Sequence, residues 1–173
     1  MKRTFEDDLT AILVNKDAIS KKESDAMRRA FAESNADEFE DFLLEEGIVS
    51  EVDLLRALSL YYKVPSFDAN GYFFDRFLLR KFPKSFLLRH GIIPLESDNE
   101  AMTIVAANPA DPNLPVEVAR FVSYDVYFCV GVRRDICDAV EEFYDKSDTD
   151  LEGDIIFEIA EDLDLGESEF FEE

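Results

Sequence analysis

His90 is the only histidine of the 173 residues, and Cys129 and Cys137 are the only cysteines. A Ser-His-Asp or Cys-His device would have to use His90, and no G-x-S-x-G turn supplies a nucleophile for it. His90 ends the run Leu-Leu-Arg-His-Gly, which reads as a helix C-terminus, where a cation favours the last carbonyls. The spacing of Cys129 and Cys137 is neither the C-x-x-C of a redox or zinc site nor a disulfide framework. They read as small buried apolar side chains. Neither G-x-x-x-x-G-K-[ST] nor G-x-G-x-x-G occurs among the six glycines, so no phosphate cradle is encoded here. Asp148, Asp150, Glu152, Gly153 and Ile155 resemble the start of an EF-hand loop. The twelfth place, which should close the site with a bidentate Glu, is Ile159, so calcium is not expected. With 40 acidic residues, carboxylate pairs occur at every spacing. No catalytic, cofactor-binding or metal-ligating residue is assigned.

Two patterns carry recognition chemistry instead. Arg76, Arg80, Lys81, Lys84 and Arg89 lie in a stretch that contains no acid from its first base to its last. They read as a solvated helix face, as a docking patch for an acidic partner, or as a surface on which the chain's own acidic end folds back. Phe73, Phe74, Phe77, Phe82 and Phe86 have the form of a stacking surface, but helical spacing in a small domain makes them core.

The net charge is −22. Nucleic-acid phosphate and anionic membrane would both be repelled, so neither is an expected partner. No apolar run approaches the ~20 residues of a bilayer-spanning helix, and the opening Met-Lys-Arg-Thr-Phe-Glu-Asp-Asp has no signal-peptide core. A cytoplasmic protein is expected.

Charge divides the chain into three. Residues 1–68 carry −7, residues 69–144 carry −3, and residues 145–173 carry −12 with a single base. The first part reads as a helical tandem repeat. Leu9, Ile12 and Leu13 share one helix face, and Phe39, Phe42 and Leu43 repeat that pattern at the same relative spacing. Asp17 and Gly47 fall where a left-handed residue would end each helix. Ser20 with Glu23, and Ser50 with Asp53, are capping signals that start a second helix. Leu54, Leu55 and Leu58 correspond to Ser24, Asp25 and Arg28, so the first copy is expected to bury Ala26, Met27, Ala30 and Phe31 instead.

Val64-Pro65 and Asp-Ala-Asn-Gly at 68–71 close this part. Residues 73–81 and 84–90 look helical around Pro83. Residues 91–96 and 101–107 read as a hairpin, 114–123 as a helix, 125–132 as a strand and 133–144 as a helix. The expectation is a small α+β module, a sandwich-like layer of helices on a short sheet. The acidic tail or linker at 145–173 holds one short helical pattern, with Ile155, Ile156, Ile159 and Leu163 on one side. With so few apolar residues it is expected to be mobile or loosely docked.

Leu43–Leu58, Val-Pro-Ser-Phe-Asp at 64–68, Ile-Ile-Pro-Leu at 92–95 and Ala-Met-Thr-Ile-Val-Ala-Ala-Asn-Pro-Ala-Asp-Pro at 101–112 follow one another in a specific order. In that order they resemble the amino-terminal domain of type II secretion and type IV pilus assembly ATPases, the GspE and PilB families, over residues 9–144. Asp-Leu-Asp-Leu at 162–165 resembles the acidic linker that leads to the ATPase domain there. The resemblance implies a non-enzymatic adaptor or regulatory domain. Its implied partner is a protein: the cytoplasmic part of an inner-membrane platform protein of the GspL kind, or a motor ATPase. One branch of the family binds cyclic di-GMP through two tandem repeats that open with Arg-Leu-Gly and close with Gln. Here the Arg places hold Asp8 and Glu38, and the Gln places hold Phe31 and Tyr61. A carboxylate where a guanidinium would meet phosphate or guanine reverses the sign of the site. A nucleotide sensor with altered ligand residues is therefore the alternative.

Overall fold

The computed structural model of the chain describes residues 2–145. The EF-hand-like stretch from Asp148 and the expectations for the acidic tail lie outside them.

The amino-terminal half is two helix pairs: α1 (Phe5–Asn15) with α2 (Lys21–Glu33), and α3 (Phe39–Glu45) with α4 (Glu51–Tyr62). Asp17 and Gly47 are both left-handed, at φ 58° and 64°, as the repeat requires. The Glu23 N–H donates to Ser20 Oγ at 3.1 Å and the Ser20 N–H donates to Glu23 Oε2 at 2.7 Å. Ser50 Oγ accepts from the Asp53 N–H at 3.1 Å. Thr4 and Asp7 form a further reciprocal cap, which starts α1 at Phe5.

The expected packing of α2 needs correction. Ala26 and Ala30 are exposed and Phe31 is half-buried, while Ser24 and Met27 face inward. Ser24 stands where Leu54 stands in the second copy. The repeat keeps its geometry, and Ser24 satisfies its buried hydroxyl by donating to Lys21 O at 2.6 Å.

Helix α5 is a single turn, Arg76–Leu79, not the expected 73–81. Asp75 Oδ1 accepts from the Phe77 N–H at 2.8 Å, which fixes the start at Arg76 and leaves 72–74 outside the helix. Helix α6 (Lys84–His90) follows Pro83 and ends on Gly91 at φ 60°, so His90 does stand at a helix C-terminus. Strands β1 (Ile92–Ser97) and β2 (Ala101–Ala106) form the expected antiparallel hairpin, with a bulge between Pro94 and Glu96. Asp98 Oδ1 accepts from the Glu100 and Ala101 N–H groups at 2.8 Å each. These bonds shape the turn and lower the Asp98 carboxyl below its usual range. Helix α7 (Leu114–Val118) is shorter than the expected 114–123. Strand β3 (Asp125–Val130) pairs parallel to β2, giving the order β1-β2-β3. Helix α8 spans 133–145.

The fold is α+β, as expected, with two buried clusters. One is built on the sheet, around Leu79, Phe82, Leu87, Ile92, Ile104 and Ile136. The other is built on the helical repeats, around Leu9, Leu13, Leu43, Leu54 and Leu58. Cys129 belongs to the first and its neighbour Val130 to the second. Residues 65–67 run beside the end of β3: the Val130 N–H donates to Pro65 O and the Phe67 N–H donates to Val130 O, both at 2.8 Å. Pro65 fits there because only its carbonyl is used.

Candidate functional site

The five phenylalanines expected in the core divide. Phe82 and Phe86 are buried and stacked, with centroids 5.8 Å apart. Phe74 is half-buried against Phe67 and Tyr72. Phe73 is 94% exposed and Phe77 is 78% exposed. The cause is local. The Asp75 cap starts the helix too late to carry Phe73, and the single turn of α5 buries Leu78 and Leu79, which leaves Phe77 outward. Asn70-Gly71 followed by Asp75 is the sequence signal for this.

The structure splits the basic residues of the same stretch. Arg76 lines a cavity of about 340 Å³ with Tyr72, Phe73, Phe74 and Phe143. Arg80 lies close enough to Tyr144 to act on its hydroxyl, which donates to Phe82 O at 2.7 Å. Lys84 Nζ is 3.8 Å from Asp145 Oδ1. These three therefore face the end of α8. Lys81 turns toward the ring of Tyr124, 6.0 Å from its centroid, and Arg89 is exposed farther along α6. Phe73 and Arg76 thus share one cavity wall, and exposed Phe77 follows Arg76 in sequence, a combination suited to a ligand with apolar and acidic groups.

The repeat positions make a different site. A cavity of about 520 Å³ lies where the second repeat meets the loop after β2, with Phe5, Glu38, Glu40, Tyr61, Asn108 and Arg133 on its walls. Glu6, Asp37 and Asp111 also line it, so five carboxylates face one guanidinium. Burial and the neighbouring Glu38 and Asp41 raise the Glu40 carboxyl, which Arg133 only partly offsets. Burial, with Glu40 adding to it, pushes the Tyr62 phenol up to about 12. In the first repeat, Asp8 lies inside α1 and pairs with Arg3 at 3.7 Å, whereas Glu38 is the N-cap of α3. The two opening positions are thus no longer equivalent in backbone. Arg28, which replaces the inward Leu58 of the second copy, pairs with Asp7.

Among the described residues, Glu51, Asp68 and Asp135 bring one carboxylate oxygen each within 4.8 Å of one another. They are the described group able to hold a cation. Glu51 and Asp135 stand in the first turns of α4 and α8, where helix dipoles already favour anions. Asp135 is only 9% exposed. Burial and the adjacent Glu51 push it up to about 7, with Arg134 opposing. Glu51 Oε1 is buried without a partner, and a proton on Asp135 supplies one. An acid whose folded pKa is raised keeps its proton in the native state after the unfolded chain has lost it. Its contribution to stability is therefore full near pH 4 and is lost as pH rises to about 7. Asp135→Asn is expected to raise stability by about 1–2 kcal/mol at pH 8, allowing for solvent screening on the exposed Asp68 side, and by less at pH 5. Urea titrations at the two pH values measure this, and an equal effect at both would contradict the shared proton.

Both thiols are free; Cys129 is buried as expected but Cys137 is only half-buried, and burial raises both, Cys129 to about 11. That suits packing residues rather than nucleophiles. Among the described residues no helix is long and apolar enough to cross a membrane.

Paired helical repeats on a three-stranded α+β layer, with an Asn-Pro loop after β2, are the architecture expected of the N-terminal domain of GspE/PilB-like ATPases, and the comparisons support that class. The MshEN domain profile matches residues 62–150, and the chain belongs to that family. Its fold is similar to that of MshE solved with cdg, at TM-score 0.61 and 19% identity, covering 83% of this chain and 100% of that one. It is also similar to the N-terminal domain of XpsE, at TM-score 0.55 and 21% identity, covering 82% and 96%. No curated protein matches. The profile match begins at Tyr62, the last residue of α4, whereas the likeness in fold covers most of the chain.

Proposed function

We propose that the chain is a non-enzymatic, cytoplasmic regulatory or adaptor domain that docks a protein partner through its aromatic–basic face. The observation that carries this is the exposure of Phe73 and Phe77 in the stretch that also carries Arg76 and Arg80, with Phe73 and Arg76 lining one cavity. Aromatic side chains, Phe included, and Arg are enriched at protein interfaces relative to the rest of the surface. The partner is expected to present apolar and acidic side chains, and the cytoplasmic domain of an inner-membrane platform protein is the natural candidate. Phe73→Asp/Phe77→Asp is expected to weaken that binding at least ~tenfold, the scale of one buried aromatic anchor. Because both residues are exposed, stability should stay within about 0.5 kcal/mol of the parent. Biolayer interferometry with the cognate platform domain tests it, and unchanged affinity in the variant would remove the face from the interface.

The second reading, a nucleotide sensor, is favoured by the cavity at Glu38 and Tyr61 and by the cdg in the MshE structure. The chemistry of the cavity opposes it. Two phosphodiesters would meet Glu38, Glu40 and Asp111 with only Arg133 to offset them. Cyclic di-GMP is therefore expected not to bind at micromolar concentration. A saturable 1:1 calorimetric isotherm near ~1 μM, about −8 kcal/mol, would reverse this conclusion.

A further inference from the structure

Three carboxylates meet where the helical repeats join the sheet module: Glu51 at the start of α4, Asp68 in the segment after it and Asp135 near the start of α8. One oxygen of each lies within 4.8 Å of the others. Asp135 is 9% exposed, and among the described residues no N–H and no Ser, Thr or Tyr hydroxyl donates to its carboxyl. Glu51 Oε1 beside it is fully buried and also has no partner. A proton shared by Glu51 and Asp135 leaves Asp68 outside the bond. We propose that Glu51, Asp68 and Asp135 bind one calcium-sized divalent cation, which ties the helical repeats to the sheet module. The ligand set is all hard oxygen, which suits calcium rather than zinc. Calcium–oxygen distances are about 2.3–2.6 Å, so oxygens up to roughly 5 Å apart can share one ion; magnesium, at about 2.0–2.1 Å, would need the carboxylates to close in. The charge fits as well. Two helix N-termini, at about half a positive charge each, offset about one of the three negative charges and leave what one divalent ion neutralises. Asp68 is exposed and the cavity of about 340 Å³ reaches Asp135, so water can complete the roughly six to eight oxygens that calcium takes. Leu54 and Leu58 of α4 belong to the helical cluster, and Ile136 and Val140 of α8 to the sheet cluster, so one ion would hold both together.

Thermal unfolding of the full chain, freed of metal by a chelator, tests this in calcium chloride, in magnesium chloride and in sodium chloride of equal ionic strength. Calcium at ~10 mM, about ten times a Kd of ~1 mM, should raise the midpoint by about 3–6 °C over sodium, and magnesium by less. Glu51→Gln/Asp135→Asn, close in shape to the parent, should lose that shift. Glu100→Gln/Asp125→Asn removes the same charge from two exposed acids at the β1–β2 turn and the start of β3, and should keep it. Circular dichroism checks that each variant is folded. If the first pair is not, Asp68→Asn at the exposed position takes its place and should cut the shift by about half or more. Equal calcium shifts in the parent and in the variants of the three carboxylates overturn the proposal, since the ion would then act on the chain's charge in general. So does the absence of a calcium shift in the parent, and so does a larger shift with magnesium than with calcium.

Discussion

Ile104→Ala is expected to lower the unfolding free energy by about 2–5 kcal/mol, the range for truncating a fully buried aliphatic side chain. Ile104 is 0% exposed in the central strand β2, opposite Pro94 on one side and Phe128 on the other. Because β2 is paired along both edges, its surroundings are held in place and the cavity cannot collapse. Against a typical total of ~5–15 kcal/mol, that loss is large. Phe73→Ala removes a bigger side chain and should change stability by less than about 0.5 kcal/mol. Urea denaturation of the two variants makes the comparison, and similar losses would mean that Phe73 is covered by something that supports the fold.

Gly131→Ala is the second large effect, at about 1–3 kcal/mol. Gly131 follows β3 and is buried. A Cβ there would stand 2.6 Å from Val105 Cγ1, 3.2 Å from Ile136 Cδ1 and 3.3 Å from Phe67 O. The neighbours cannot all retreat, because one is backbone and the other two are packed in the sheet cluster. Val105→Ala removes the nearest methyl, so the two substitutions together should cost less than the sum of their separate losses. Strict additivity in that cycle would place the strain elsewhere.

Much of the fold is legible in the residues that act locally. Ser20, Glu23, Ser50, Asp17 and Gly47 set helix ends through their own side chains or backbone freedom, and the hairpin of β1 and β2 is written in its alternation. Thr4 and Asp7 carry the same capping signal and are equally readable. In 73–81 the apolar periodicity suggests a helix longer than the one the Asp75 cap permits, and this conceals the exposure of Phe73 and Phe77, the centre of the candidate site. Ala26 and Ala30 suggest a core face by apolarity alone. The repeat's geometry instead turns Ser24 inward, where Leu54 marks the buried line. The convergence of Glu51, Asp68 and Asp135 depends on contacts between α4, the segment after it and α8, which no local pattern encodes.

Pro65 and Phe67 are distant from Val130 in sequence, yet their backbones engage both its N–H and its carbonyl. Such a closure is expected to form late, because a long loop must give up its freedom before any bond repays it. The helix pairs, built from neighbours in sequence, can assemble earlier and wait. Val130 is then the latch: when β3 docks, one residue enters the helical cluster while Cys129 enters the sheet cluster. Folding of either half is thereby communicated to the other, and a pull on α8, which follows β3 directly, would be felt at the repeats.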